Sequence, residues 1–249
     1  MKRTTLPMMI CSLAIGWTSS VRAEPKPDAG SRESLLMSRR LAPLSIGADY
    51  ENFTREVLWV GGGAATLEGK GASAYIGFDP IPWLTIFGTA GQISADMGGP
   101  GEAGDDTLWS VGASINFWHI DLTHPEFISG RLSIRGGAEG RFADFEDPTL
   151  GAGKWVEQNF SVTANYEIYV QDRAAVKRVP YSLMLNVGWL VSKIEGEVGV
   201  GAARRDFEED RATAVTAGVE LFVSSNLSLG VHLQSFESSN WRASLRYRF

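Results

Sequence analysis

The sequence predicts an all-β chain: a single antiparallel, up-and-down sheet of about ten strands, with eight or twelve as alternatives, closed on itself into a barrel. Three observations predict it. From Leu44 onward, apolar and polar side chains alternate with period two, and turn-forming segments break the alternation. Beyond Ala23 no run approaches the roughly 18 apolar residues that a membrane-crossing helix needs, so any insertion must be by strands. The polar face of the strands also carries many ionisable groups, which a dry core does not hold because each unpaired buried charge costs several kcal/mol.

The strands follow in order. The first, about 44–54, sets Ile46, Ala48 and Tyr50 against Gly47, Asp49 and Glu51. The second, about 69–79, turns through Asp79-Pro80-Ile81-Pro82 into the third, about 83–95, since neither proline fits a central ladder. The fourth, about 107–119, alternates Trp109, Val111, Ala113, Ile115 and Phe117 with Ser110, Gly112, Ser114 and Asn116. The fifth, about 129–144, alternates Leu132, Ile134, Gly136, Ala138 and Phe142 with Ser133, Arg135, Gly137, Glu139 and Arg141. The sixth, about 156–171, sets Phe160, Val162, Ala164, Tyr166 and Ile168 against Ser161, Thr163, Asn165 and Glu167. The seventh, about 180–195, shows Tyr181, Leu183, Leu185, Val187 and Trp189 against Ser182, Asn186 and Gly188. In the eighth, about 211–223, Val215, Ala217, Val219 and Leu221 oppose Thr216, Gly218 and Glu220. Leu229, Val231 and Leu233 oppose His232 and Gln234 in the ninth, about 227–237, and residues 240–249 form the tenth.

Links after even strands are compact, whereas Ala95 to Asp106, Phe145 to Lys154 and Gly196 to Asp210 predict longer, glycine-rich and acidic loops at the other end. The link from Glu237 to Asn240 breaks that pattern by being short. Residues 1–23 carry Lys2 and Arg3, an apolar stretch from Leu6 to Trp17 and a Val21-Arg22-Ala23 ending, the pattern of a cleaved secretory signal. Residues 24–43, with Pro25 and Pro27, predict a poorly ordered lead-in, and the barrel spans 44–249. The one cysteine, Cys11, falls inside the signal, so the mature chain has no thiol. Without Lys2, Arg3 and Arg22, the 23 basic residues become 20 against 29 acidic ones, a formal charge of −9, which excludes a nucleic-acid partner.

The last strand places Trp241, Ala243, Leu245, Tyr247 and Phe249 on one face and Arg242, Ser244, Arg246 and Arg248 on the other. A terminal Phe with Tyr two residues before it resembles the C-terminal signature of Gram-negative outer-membrane β-barrels. The alternation and turn pattern of 44–249 are similar to that broad family, and no subfamily is distinguished. The resemblance implies a cell-envelope protein of the outer membrane, with the last strand as its assembly signal. The implied partners are the barrel-assembly machinery, outer-membrane lipid and lipopolysaccharide, and a monomer is expected. It also implies a lipid-facing apolar surface. Trp83, Trp109, Trp118, Tyr181, Trp189, Trp241, Tyr247 and Phe249 then fit aromatic girdles.

The opposite face predicts a charged lumen of Asp49, Glu51, Arg135, Glu139, Arg141, Glu167, Glu220, His232, Arg242, Arg246 and Arg248. Closure puts the first strand beside the last, so Asp49 and Glu51 should face the arginine row. Long charged side chains in a ten-stranded barrel should leave at most a narrow, porin-like passage. Outer-membrane barrel enzymes use His with Ser or Asp, and the chain has three histidines. His119 with Asp121 has same-face spacing but predicts no catalytic pair, and His232 reads as a solvated lumen histidine. No catalytic residue, cofactor or metal site is expected. Gly63 to Lys70 has five residues between its glycines and Gly71 where a phosphate loop needs Ser or Thr. The acidic groups Glu102/Asp105/Asp106, Asp144/Glu146/Asp147 and Glu208/Glu209/Asp210 could bind cations that bridge lipopolysaccharide or simply be solvated. Three roles follow: a structural, surface-interaction or narrow-pore barrel, a barrel enzyme acting on lipid or peptide, and a soluble lipocalin-like binder.

Overall fold

The computed structural model describes residues 44–98, 104–122, 129–169, 182–224 and 226–249. The expected signal and lead-in, Glu102 and Tyr181 lie outside the described residues. Ten strands form one antiparallel sheet: β1 Leu44–Trp59, β2 Ala64–Ile81, β3 Leu84–Asp96, β4 Asp105–Leu122, β5 Ser129–Asp147, β6 Gly151–Tyr169, β7 Ser182–Val198, β8 Arg205–Phe222, β9 Leu227–Ser235 and β10 Ser239–Arg248. Each pairs with its sequence neighbours, and β1 pairs with β10, which closes the barrel. Closure joins the chemistry predicted for it: Asp49 lies opposite Ser244 and Glu51 opposite Arg242.

The sheet has two tiers. In the lower tier, at the end holding Leu44 and Phe249, apolar side chains face out and the inward row is mostly polar, with Met184, Leu190 and Phe222 as buried apolar exceptions. On β7, Leu185, Val187, Trp189 and Val191 are exposed, while Ser182, Asn186 and Ser192 are buried inside. In the upper tier the partition inverts. On the same strand Ile194 and Val198 turn inward and are buried, while Glu195 faces out. The inversion recurs on β1, where inward Asp49 and Glu51 give way to inward Phe53 and Val57. It recurs on β5, where Arg141 gives way to Phe145. The outward rows change to match, from Ile46 and Tyr50 to Glu56 on β1.

The inner residues of the upper tier form one dry core: Phe53, Val57, Leu67, Ile93, Met97, Leu108, Phe145, Trp155, Ile194, Val198 and Phe207 are all buried. Phe145 packs on Trp155 with ring centroids 5.3 Å apart, and Trp59 meets Phe207 edge-on at 6.1 Å. Glycines make the room: a Cβ on Gly153 would overlap the Phe145 ring, and one on Gly196 the Phe207 ring.

Strand count explains why the upper tier can be dry. β9 has 9 residues and β10 has 10, against 16 in β1 and 18 in β8. Above their turn, β1 pairs directly with β8, Leu58 with Glu208 and Trp59 with Phe207, and Val60 N donates to Asp206 O at 2.9 Å. The upper barrel therefore closes on eight strands, a width that side chains fill, while the ten-stranded lower tier is wider. The short Glu237-to-Asn240 link is the device that produces this narrowing.

The predicted long loops correct in the same way. Much of 145–154 and 196–210 is strand, and the links shrink to 148–150 between β5 and β6 and 199–204 between β7 and β8. The expected boundaries fell short because the inversion ends the apolar-out alternation, not the strand. On β8 a bulge adds to this: Ser192 faces Ala212 but Ile194 faces Glu209, so the inward row passes from even-numbered positions at Ala212 to odd-numbered ones at Glu209. A bulge on β4, between Asn116 and Trp118, turns Phe117 and Trp118 both outward.

Candidate functional site

The apolar belt is bounded by aromatic rings, as predicted for the residues that are described. Trp83, Trp109, Trp118, Trp189, Trp241, Tyr247 and Phe249 are all exposed on the outside. Tyr247 and Phe249 meet at 5.1 Å near the lower edge; Tyr50 with Trp241 at 5.3 Å and stacked Trp109 with Phe142 at 4.0 Å mark the upper edge. Trp189 is the departure, because it lies mid-strand on β7 rather than at an end.

Inside, where the tiers meet, charges form a continuous layer. Arg55 bonds both Glu209 and Glu157, the latter at 3.3 Å. Arg141 reaches Glu157 at 2.9 Å and also Glu51. Arg242 closes the row on Glu51 at 3.1 Å, with Glu139 at 3.9 Å. Ser192 donates to Glu157 at 3.1 Å. Burying ions is costly, and alternating signs with shared hydrogen bonds offset the desolvation. Arg55 also stacks on Phe236 of the β9–β10 turn, 3.6 Å from the ring centroid. Thr54 N donates to Asn240 Oδ1 at 2.8 Å and Ser238 Oγ to Thr54 O, so the turn is pinned beneath the β1–β8 junction.

Below this layer lies a cavity of about 380 Å³, lined by residues from the ionic layer down to Asn226 and Arg248 beside the lower turn. Arg246 holds Asp49 bidentately at 2.7 and 2.8 Å and lies 3.8 Å over the Tyr75 ring. The expected pairing of Asp49 and Glu51 with the arginine row is thus present for Arg246 and Arg242, whereas Arg248 pairs with Asp79 from the β2–β3 end. Glu167 accepts from Ser182 at 3.0 Å and Glu220 from Ser228 at 2.6 Å. Arg135 donates from Nε to Asn116 at 3.2 Å, and His232 lines the wall opposite Gly218. The eleven predicted residues all face inward but form several groups, not one network.

Sequence reasoning missed Arg55, Glu157, Glu209 and Asp79. Arg55 and Glu157 keep the inward parity of Glu51 and Asn159, so extending that parity four residues past Glu51 would have found Arg55. Glu209 sits beyond the bulge, where parity is lost.

His119 faces the lower rim and is exposed, and Asp121 is bound by Arg131 at 2.6 Å. The acidic groups have separate duties. Asp147 is buried and accepts from the N–H groups of Met97, Thr149 and Leu150 at 2.7–2.8 Å, which fixes the β5–β6 turn. Asp144 accepts from Thr107 at 3.1 Å. No three metal-ligating residues cluster among the described residues. Outside the belt, Glu56 is held above the usual carboxylate range by Glu237, and burial raises Glu209 against the opposing pull of Arg55. The hydrogen bond from Lys154, aided by Arg204, lowers Glu197.

No protein-family model matches the chain, and no curated protein matches it by sequence. Among solved structures it is similar to the outer membrane protease OmpT from Escherichia coli, with 11% identity, TM-score 0.37, and coverage of 86% of this chain and 100% of that one. It is also similar to Ail, the attachment invasion locus protein of Yersinia pestis, with 13% identity, TM-score 0.36, and coverage of 83% and 96%. The translocator domain of autotransporter NalP from Neisseria meningitidis gives 12% identity, TM-score 0.35, and coverage of 86% and 91%. The fold itself rests on the ladder of hydrogen bonds: the chain is a closed, ten-stranded antiparallel β-barrel whose lower tier has the apolar-out, polar-in partition of outer-membrane barrels.

Proposed function

We propose that the protein is inserted in a Gram-negative outer membrane by its lower tier and displays its upper tier outside, as a structural or surface-interaction barrel rather than a diffusion pore. The observation that carries this is the inversion. Exposed Ile46, Ile76, Val111, Val162, Val187, Val219, Leu229 and Leu245 sit on eight different strands, a continuous apolar surface that water does not tolerate and acyl chains do. The switch to outward Glu56, Glu146 and Glu195 supports a membrane boundary at the upper aromatic ring. A soluble lipocalin-like binder needs the opposite partition throughout. A narrow pore needs a wet path, and the dry upper core blocks one among the described residues.

Cell fractionation, heat-modifiable migration on a detergent gel and planar-bilayer recording test this together. The expected result is outer-membrane recovery, a folded form that shifts on boiling, and no steady conductance. Recovery as a soluble periplasmic protein would overturn the membrane placement, and a steady conductance would overturn the closed lumen.

A further inference from the structure

Every arginine of the barrel interior except one has a carboxylate within 4.0 Å among the described residues: Arg55, Arg131, Arg141, Arg242, Arg246 and Arg248 are all paired. The exception is Arg135. Its only hydrogen bond among the described residues runs from Nε to the Asn116 amide oxygen, and the residue lines the lower cavity with no hydrogen bond from its terminal nitrogens among the described residues. Glu220 is its counterpart of opposite sign. It lines the same cavity, has no cation within 4.0 Å among the described residues, and accepts one hydrogen bond, from Ser228.

The two groups form no ion pair with each other within 4.0 Å among the described residues. Arg135 stands on β5 and Glu220 on β8, with β6 and β7 between them around the wall. A half-buried cation and a half-buried anion on separate strands, neither holding an ion pair within 4.0 Å among the described residues, give the cavity two walls of opposite charge that a ligand carrying both charges complements. The cavity, about 380 Å³, is in the size range of small-molecule sites. Its remaining wall near Arg135 offers Ser114 and Thr163, neutral groups that hydrogen-bond a solute without adding charge.

We propose that this cavity binds a small zwitterion of amino-acid to dipeptide size, its carboxylate on the terminal nitrogens of Arg135 and its ammonium on the free carboxylate oxygen of Glu220. A planar guanidinium takes a carboxylate in two parallel hydrogen bonds, which gives direction to the binding. Neither a simple anion nor a simple cation satisfies both walls, since each leaves one half-buried charge without a counter-charge. The site goes beyond the membrane placement proposed above and is tested separately from it, on folded protein in detergent.

The test is saturation-transfer NMR of the folded barrel with glycylglycine, acetate and ethylammonium as separate probes. Glycylglycine should bind, with acetate and ethylammonium each weaker by about tenfold or more, the worth of one charge-assisted contact. R135Q and E220Q should each lose glycylglycine by a similar factor, R135K should keep part of it, and E220Q should bind acetate better than the native protein does. Heat-modifiable migration shows whether each variant is folded; if R135Q is not, the ranking of the three probes on native protein decides. No transfer to glycylglycine, equal binding of acetate, or unchanged binding in a folded R135Q would overturn the proposal.

Discussion

The lower and upper tiers share the same ten-stranded chain, the same ladder and in most strands the same parity, yet they are inverted solids. In the lower tier the apolar side chains face outward and the interior is a charged cavity. In the upper tier the interior is a close-packed core and the exterior carries Glu56, Glu146 and Glu195. The difference teaches that a strand does not know which of its faces is the core. The surroundings of each tier decide, and the sequence records the change as an exchange of chemistry between alternating rows. Narrowing from ten strands to eight then lets side chains fill the upper interior, whereas the wider lower interior keeps space.

The comparison breaks most severely at the layer where the tiers meet. Arg141→Ala removes the cation shared by Glu51 and Glu157 and leaves two buried carboxylates short of a partner, so it should cost about 3–5 kcal/mol in urea-induced unfolding. Phe145→Ala in the dry core should cost about 3–5 kcal/mol as well, through a cavity that the Gly153 side cannot fill. A stability unchanged in either variant would mean that the tier concerned is not packed as described.

Charge placed on the outer surface sharpens the boundary. Val187→Arg sits in the belt and should cost about 2–4 kcal/mol of folding into a bilayer, while Lys193→Arg, six residues along the same outward row, should be silent. Equal costs at the two positions would erase the boundary drawn between them.

The smallest effects are electrostatic and opposite in sign. Glu56 is raised by Glu237, so its ionisation in the folded state is disfavoured; Glu56→Gln should stabilise slightly at pH 7 and lose that advantage as pH falls below the ordinary carboxylate range. Glu197 is lowered by Lys154 and Arg204, so its pairing stabilises above that range and fades as pH falls. Glu197→Gln should therefore cost about 0–1 kcal/mol at pH 7 and nothing at pH 3. Thermal unfolding of both variants at the two pH values checks the pair, and parallel pH trends would contradict the assigned partners.

The sequence made the lower tier legible because one rule, apolar out and polar in, held from Leu44 to Tyr50 and from Leu132 to Phe142. The inward orientation of Arg135, Glu139 and Arg141 followed from that parity alone. The upper tier was hidden by the same rule. Phe53, Phe145 and Phe207 sit on the inward row, which the lower tier reserves for charges, so their segments read as strand ends and loops. The unpaired state of Arg135 was not legible at all, because parity fixes which face a residue occupies but not which neighbour it reaches across a lumen. The β1–β8 pairing was equally hidden, since nothing local in Leu58 or Glu208 marks a contact 150 residues apart; Leu58↔Glu208 emerges only when β9 and β10 stop short.

Cysteine accessibility along one strand tests the inversion most directly, given that Cys11 is the chain's single native thiol. Val187→Cys, Ile194→Cys and Glu195→Cys would be exposed in intact cells to a membrane-impermeant maleimide. Fast labelling at 195 with protection at both 187 and 194 is the predicted result, lipid shielding the first and the dry core the second. Labelling at 187 as fast as at 195 would contradict the account.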